Sequence, residues 1–281
     1  MSSDDLVQEA SEKGTPEIGD PSRRGEETTE GFVRLRSSVS ALLKSFARAC
    51  KEFGLLEEGD RVAVALSGGK DSTSLLDLML RYRERAGVSY DVVAIHVVGA
   101  AAGFPDLTEM LRPWLEELGV EHHFVPLELP PGEPLPLDCF RCAWNRRKAL
   151  FLAADALGCN KLALGHHADD AAVTTLLNLL FTGRLETLEP KVAFFGGRIT
   201  VIRPLIYIPA KELDRYARLS GFPVVPPCPY QPDDNRRRVA EFLRGFDGRQ
   251  QEMIRANLWR AARRRISVSG CSAARVSRET Q

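Results

Sequence analysis

The amino-acid sequence predicts a doubly wound α/β fold around a parallel sheet, with an N-terminal helix in front and a C-terminal helical extension behind. Three observations carry this expectation. Short apolar runs alternate with helical stretches of roughly 10–15 residues, the pattern of a parallel sheet covered on both faces. The first run passes into a helix through Ser67-Gly68-Gly69, a tight glycine turn at a strand end. The 281 residues are 44% hydrophobic and 27% charged, an ordinary globular composition that excludes collagen, a coiled coil or disorder throughout.

In chain order, the apolar spacing of residues 35–53 predicts a helix ending at Gly54, and residues 61–66 a buried strand. A helix over 72–85 closes at Gly87, a second strand covers 90–98, and a helix over 107–118 stops at Gly119. Residues 122–127 read as the third strand, 141–157 as a helix stopped by Gly158, 161–164 as the fourth strand and 168–181 as a helix. Two β-rich runs, 192–195 and 199–202, flank Gly196-Gly197, which signals a hairpin. Helices follow at 210–220, near 237–243 and at 249–265. In such a sheet, ligands sit beyond the carboxyl ends of the strands.

Lys+Arg and Asp+Glu both total 38, yet the charge is unevenly placed. Residues 1–30 hold nine acids against three bases, few large apolar groups and scattered Pro, Gly, Ser and Thr, so a disordered acidic tail is expected there. Residues 236–265 hold ten arginines against three acids, which reads either as a solvated helix face or as a surface for a phosphate backbone. The organisation expected is an acidic tail (1–30), an α/β domain with its N-terminal helix (31–225), a basic helical extension (226–266) and a flexible end (267–281). The tail and the basic stretch are complementary enough in charge to touch. No apolar run approaches the roughly 20 residues of a membrane span, and Met1–Asp5 does not read as a signal peptide, so a cytoplasmic location is expected.

Ser67-Gly68-Gly69-Lys70-Asp71-Ser72 lies where the first strand becomes a helix. Two glycines let the backbone approach an anion, the helix start directs N–H groups at it, Lys70 adds a full charge, and two serines offer hydroxyls. The loop is not GxxxxGK[ST]. SGGKDS after an apolar strand resembles the PP-loop of the ATP pyrophosphatase superfamily (HUP-like fold), whose members bind the pyrophosphate of ATP and transfer AMP to a substrate oxygen. The resemblance implies ATP contacts from Leu66, Ser67, Gly68, Gly69, Lys70, Ser72 and His96, with Lys70, Asp71 and Asp170 acting in the chemistry.

Gly165-His166-His167-Ala168-Asp169-Asp170 follows the fourth strand, at the sheet edge that carries the glycine loop. The two histidines and two carboxylates can hold Mg2+ beside phosphates, and Asp169 can equally cap the next helix. The segment resembles the GHHxDD element of PP-loop tRNA thiolation enzymes, which implies ATP contacts from Gly165, His166, Asp169 and Asp170. Thr174 and Asn178 match the Thr and Asn of the family's following helix, while Val173 replaces its usual Glu.

Cys139-Phe140-Arg141-Cys142 precedes a helix with Arg146, Arg147 and Lys148, a setting that lowers thiol pKa and allows one metal to be shared. Cys228 is a third candidate; Cys50 and Cys159 read as core thiols, and Cys271 falls in the flexible end. Three thiolates suit a [4Fe-4S] cluster with one open iron better than a closed four-ligand zinc site. The chain is similar to the tRNA 2-thiocytidine synthetase family over roughly residues 40–245. CxxC before a basic helix, the Phe222-Pro223 turn leading to Cys228, Asn235 and Arg238 beyond it, and Ile202-Arg203-Pro204-Leu205 carry the likeness. The family's PPK stands as Glu189-Pro190-Lys191, and its PCxxC is reduced to Cys228-Pro229-Tyr230.

This resemblance implies ATP-dependent thiolation of a tRNA cytidine at position 32, a cluster on Cys139, Cys142 and Cys228, and a cysteine-desulfurase sulfur donor. Arg141, Arg146, Arg147, Arg203, Arg236, Arg237 and Arg238 are then expected at the RNA. A homodimer is compatible with the sequence. Thiolation of a uridine or another RNA base, an adenylating amide-forming enzyme with zinc, and a non-catalytic RNA-binding module remain open as alternatives at this point.

Overall fold

The computed structural model describes residues 21–135, 137–223, 225 and 234–269. Cys228 and Cys271, the acidic residues 1–20 and the end from 270 lie outside the described residues, so the expectations placed on them do too. The described elements are α1 (Pro21–Phe53), β1 (Asp60–Ala65), α2 (Lys70–Arg83), β2 (Tyr90–Val98), α3 (Thr108–Glu117) and β3 (Glu121–Pro126). They continue as α4 (Cys139–Ala156), β4 (Lys161–Ala163), α5 (Ala168–Thr182), β5 (Lys191–Phe194), β6 (Ile199–Ile202), α6 (Ala210–Ser220), α7 (Asn235–Arg244) and α8 (Gly248–Ser269).

The strands form one sheet in the order β3-β2-β1-β4-β6-β5. All neighbours are parallel except β5 and β6, which are antiparallel with Phe194 opposite Ile199, the hairpin signalled by Gly196-Gly197. Alternation along the strands sends residues to two cores. Val62 and Val64 of β1 and Val92 and Ala94 of β2 join α1, α2, α3 and α6 on one face. Ala63, Val93 and Ile95 join Phe151 and Ala154 of α4 on the other. A strand buried on both faces must be apolar throughout, which is why β1 and β2 read as continuous runs.

Two boundaries differ from expectation. α1 begins at Pro21, so residues 21–30 belong to a helix rather than to a tail. Proline is well placed at a first helical position, because the N–H it lacks would have no partner there. α8 continues through Ser269, past the expected end at 265. Among the described residues, no helix is long and apolar enough to cross a membrane.

The base of the sheet is held by ions. Lys161 of β4 is 2% exposed, and its ammonium donates to Asp60 at 2.6 Å, to Glu57 at 2.9 Å and to the Leu55 carbonyl at 2.9 Å. Removing one partner of a buried pair leaves the other charge stranded, at a cost of about 3–5 kcal/mol. Lys161→Met is therefore expected to lose about that much stability in a urea titration, and a loss under about 1 kcal/mol would show that this network does not anchor the sheet.

Candidate functional site

The sheet order reverses between β1 and β4: from β1 the chain builds outward to β2 and β3, then returns to place β4 on the other side. The loops beyond the carboxyl ends of β1 and β4 therefore part around a crevice, the usual ligand position in such sheets. Both sequence motifs are in these loops.

The first loop is shaped by its own side chains. Ser72 Oγ donates to the Gly69 carbonyl at 2.9 Å and accepts from the Ser67 N–H at 3.1 Å; Ser67 Oγ lies 3.0 Å from it and accepts from the Gly69 N–H at 3.3 Å. The hydroxyls expected to reach a phosphate thus also brace the loop. Gly68 has φ +83°, and a Cβ there would lie 2.9 Å from Leu107 and from Val225, so only glycine fits. α2 starts at Lys70 with no side-chain cap on its first turn, which leaves that turn facing the crevice for an anion. Burial disfavours the charge of Lys70, but Asp71 at 2.8 Å and Asp214 at 3.5 Å outweigh it and hold the ammonium above its ordinary pKa. His96 is 3% exposed; its Nδ1–H donates to the Leu66 carbonyl at 2.8 Å, so it supports the loop from below. Burial is the main cause that pulls its pKa down and keeps it neutral.

The second loop meets the first directly. A Cβ on Gly165 would stand 3.2 Å from the Asp71 carbonyl carbon and 3.3 Å from the Ser72 nitrogen, so the absence of a side chain permits the approach. His167 Nε2 lies 3.9 Å from Asp71 Oδ1. His167 also caps α5: its Nδ1 accepts from the Asp170 N–H at 3.4 Å, and its own N–H donates to Asp170 Oδ2 at 3.1 Å, a reciprocal capping box. Asp169 does not cap α5. Its Oδ2 accepts from Ala210 N at 2.7 Å at the start of α6, and its Oδ1 pairs with Arg255 of α8 at 2.8 Å. Asp170 Oδ1 pairs with Arg236 of α7 at 2.6 Å, and the same guanidinium lies 3.4 Å from Thr174 Oγ1. The groups expected to hold Mg2+ are thus engaged by helix caps and arginines. Asn178 sits away from the crevice, donating to the Glu186 carbonyl at 3.0 Å.

Behind this row, His166 Nδ1 and Arg203 Nε are buried without a hydrogen-bond partner among the described residues. Burial first, then the charge of Arg203, lowers the His166 pKa to about 4. Arg203 was expected at the RNA surface, but it is half-buried beside His166, with its own pKa lowered by burial and by Arg147. A cavity of about 390 Å³ opens alongside, lined by His167, Asp170, Asp214, Arg236 and Arg255 among others. Asp214 and Arg255 lie on ordinary amphipathic helices, and no motif signals them.

Of the expected metal ligands, Cys139 and Cys142 share the first turn of α4, whose N-cap Asp138 accepts from the Arg141 N–H at 2.8 Å. β3 ends at the crevice edge, so the chain that leaves it brings the start of α4 to that side of the sheet. Two thiols one turn apart beside arginines are a donor set suited to a soft metal. Among the described residues, no group of three His, Cys, Asp or Glu is placed to hold a metal ion. Cys50 is no substitute for Cys228, because burial pushes its thiol up to about 12, and Cys159 is likewise buried with a raised pKa. Of the arginines expected at RNA, Arg141 pairs with Glu133, Arg237 with Glu241 at 2.8 Å and Arg236 with Asp170, while Arg146 lies over the Phe104 ring at 6.0 Å. Arg147 and Arg238 are exposed.

A family model described as a PP-loop domain matches residues 39–100. The chain is 36% identical over 261 residues to a tRNA-cytidine(32) 2-sulfurtransferase of Acidovorax ebreus (strain TPSY), covering 88% of this chain and 78% of that protein. It is 39% identical over 229 residues to the enzyme of the same description from Variovorax paradoxus (strain S110), covering 76% and 72%. Its fold is similar to that of a U34-tRNA thiolase from Methanococcus maripaludis solved with its 4Fe-4S cluster, with TM-score 0.63, 23% identity and coverage of 82% of this chain and 80% of that one.

His166 makes a pH-dependent contribution with a definite sign. Its pKa falls from 6.5 unfolded to about 4 folded, so the unfolded chain takes up the proton first as pH drops. The contribution is complete above pH 6.5, is lost as pH falls from 6.5 to about 4, and loses nothing further below that. NMR titration should place the imidazole midpoint near 4, and His166→Asn should flatten the stability curve over the same window. A midpoint near 6.5 would contradict the burial described.

Proposed function

Since the chain belongs to the family of tRNA-cytidine(32) 2-sulfurtransferases, we propose that the β1–β4 crevice adenylates a tRNA cytidine, at position 32, with ATP so that sulfur can replace its 2-oxo group. The observation that carries this reading is the contact between the two loops, with Gly165 against the backbone of Asp71 and Ser72. It joins an anion-binding turn to a row of His and Asp side chains within one site.

The triphosphate seats its β- and γ-phosphates on residues 67–72, where the uncapped start of α2 and the Lys70 ammonium compensate charge that develops as pyrophosphate leaves. Leu66 and His96 keep the turn in place. His166 and Arg203, each with a buried unpartnered nitrogen, are assigned to the nucleotide or to the base being modified. One or two carboxylates suffice for Mg2+ beside phosphate oxygens, and Asp71 and Asp214 stand next to Lys70. The cytidine O2 attacks the α-phosphate; adenylation converts a poor leaving group into AMP, which the incoming sulfur then displaces. Cys139, Cys142 and Cys228 would hold an iron–sulfur cluster, which would supply the chemistry for delivering sulfur. Asp170 orients the site through His167 and Arg236. The base must leave its stack to enter, which suits an anticodon-loop nucleotide. A cysteine desulfurase is the proposed source of sulfur.

The two half-reactions separate by mutation. Lys70→Ala is expected to lower tRNA-dependent pyrophosphate release by about 100- to 1,000-fold, the scale of losing one preorganised charge-stabilising group. Cys139→Ala and Cys142→Ala should abolish 2-thiocytidine, read by nucleoside mass spectrometry, while pyrophosphate release persists. Release that survives Lys70→Ala, or thiocytidine that survives both cysteine variants, would refute the respective half.

A further inference from the structure

We propose that the exposed face of α4 is a stacking platform for unpaired nucleotides of the substrate RNA loop, with Trp144 and Phe140 as its rings. The inference rests on the tRNA reading and goes beyond it by naming the residues that receive the bases flanking the target.

α4 carries apolar residues on two faces. Phe151 and Ala154 are buried against the sheet, as a covering helix requires. Phe140 and Trp144 are not: they are 79% and 51% exposed, one helical turn apart, and Lys148 and Leu152 continue the same row at the same spacing. Among the described residues neither ring joins a hydrophobic core, and the rings begin in the turn that holds Cys139 and Cys142. The row is therefore placed at the proposed site of sulfur delivery, where a target base would be drawn out of its loop.

Charge selects the occupant. Between Cys139 and Ala154 the helix has no acid of its own; Arg141 is paired with Glu133, and Arg146, Arg147 and Lys148 carry the remaining positive charge. Lys148 Nζ lies 5.8 Å from the Trp144 ring centre, and Arg147 and Lys148 are exposed beside the rings. Aromatic faces interleaved with cations match an unpaired polyanion: the bases stack, and the phosphates meet the cations. A duplex hides its base faces and cannot use such a surface. A second copy of this chain would set these cations against their own kind.

The test uses the full chain with Trp114→Phe and Trp259→Phe, which leaves Trp144 as the reporter. A synthetic anticodon stem-loop RNA should quench Trp144 fluorescence, whereas a blunt RNA duplex of equal charge should not. Trp144→Ala should weaken stem-loop binding by about 5- to 100-fold, in line with the loss of one stacked base, without changing the salt dependence; Trp144→Phe should restore most of it. Lys148→Ala should instead reduce the salt dependence by about one released counterion. Stem-loop binding with Trp144 unquenched and Trp144→Ala neutral would overturn the platform alone. Failure of the chain to bind the stem-loop at all would overturn the tRNA reading and the platform together. If Phe140→Ala and Trp144→Ala altered self-association or sulfur uptake from a protein donor, with RNA binding intact, the face would be a protein contact and the proposal wrong.

Discussion

The constraint on which the rest depends is the close approach of two strand-end loops at the point where the sheet order reverses. Parallel strands direct all their carboxyl ends to one edge, and β1 and β4 are neighbours there with crossovers that leave in opposite directions. The two loops come into backbone contact with no side chain between them. Gly165 lies against the backbone of Asp71 and Ser72, and Gly68 takes a left-handed conformation in a space that Leu107 and Val225 close to any Cβ. A side chain at Gly165 would press on that backbone and one at Gly68 would strain its left-handed turn, so both glycines suit the close approach of the 67–72 turn to the His–Asp row.

Electrostatics then ties the C-terminal helices to that site. Asp169 and Asp170 face the crevice proposed to admit ATP, and their charge is met by Arg255 of α8 and Arg236 of α7. Arginine is suited to this role, since it stays charged when partly buried and its fork matches a carboxylate. The basic extension therefore has two parts. Some of its arginines line the crevice cavity, and others, such as Arg238, are exposed. The carboxylates bind helices together through the same atoms that set the local charge, so the pocket and the extension are one mechanical unit.

Local signals were legible in the sequence where a short stretch determines its own geometry. The strand–glycine–helix turn at 67–72, the hairpin at Gly196-Gly197 and the strand 90–98 needed only neighbouring residues, and the structure has them there. Partnerships between distant segments were not legible. Asp214 and Arg255 sit on helices whose polar faces look solvated, and only the packing of α6 against α2 and of α8 against α5 brings them to Lys70 and Asp169. Residue type shows that Ser67, Ser72 and Asp169 can hydrogen-bond but not to what; in the fold those groups also bond to backbone N–H and C=O groups nearby. Arg203, placed among the RNA contacts by the family resemblance, is half-buried in the fold, where its charge helps to lower the His166 pKa.

The central claim is that the crevice transfers AMP to the cytidine O2 before sulfur enters. It is tested most directly with an anticodon stem-loop carrying 18O at O2 of cytidine 32, incubated with ATP, sulfide and the anaerobically reconstituted protein. Mass spectrometry of the AMP formed should find the label in its phosphate, in proportion to the 2-thiocytidine made. Thiocytidine formed with unlabelled AMP would mean that the oxygen departs by another route, and the adenylation account would fall.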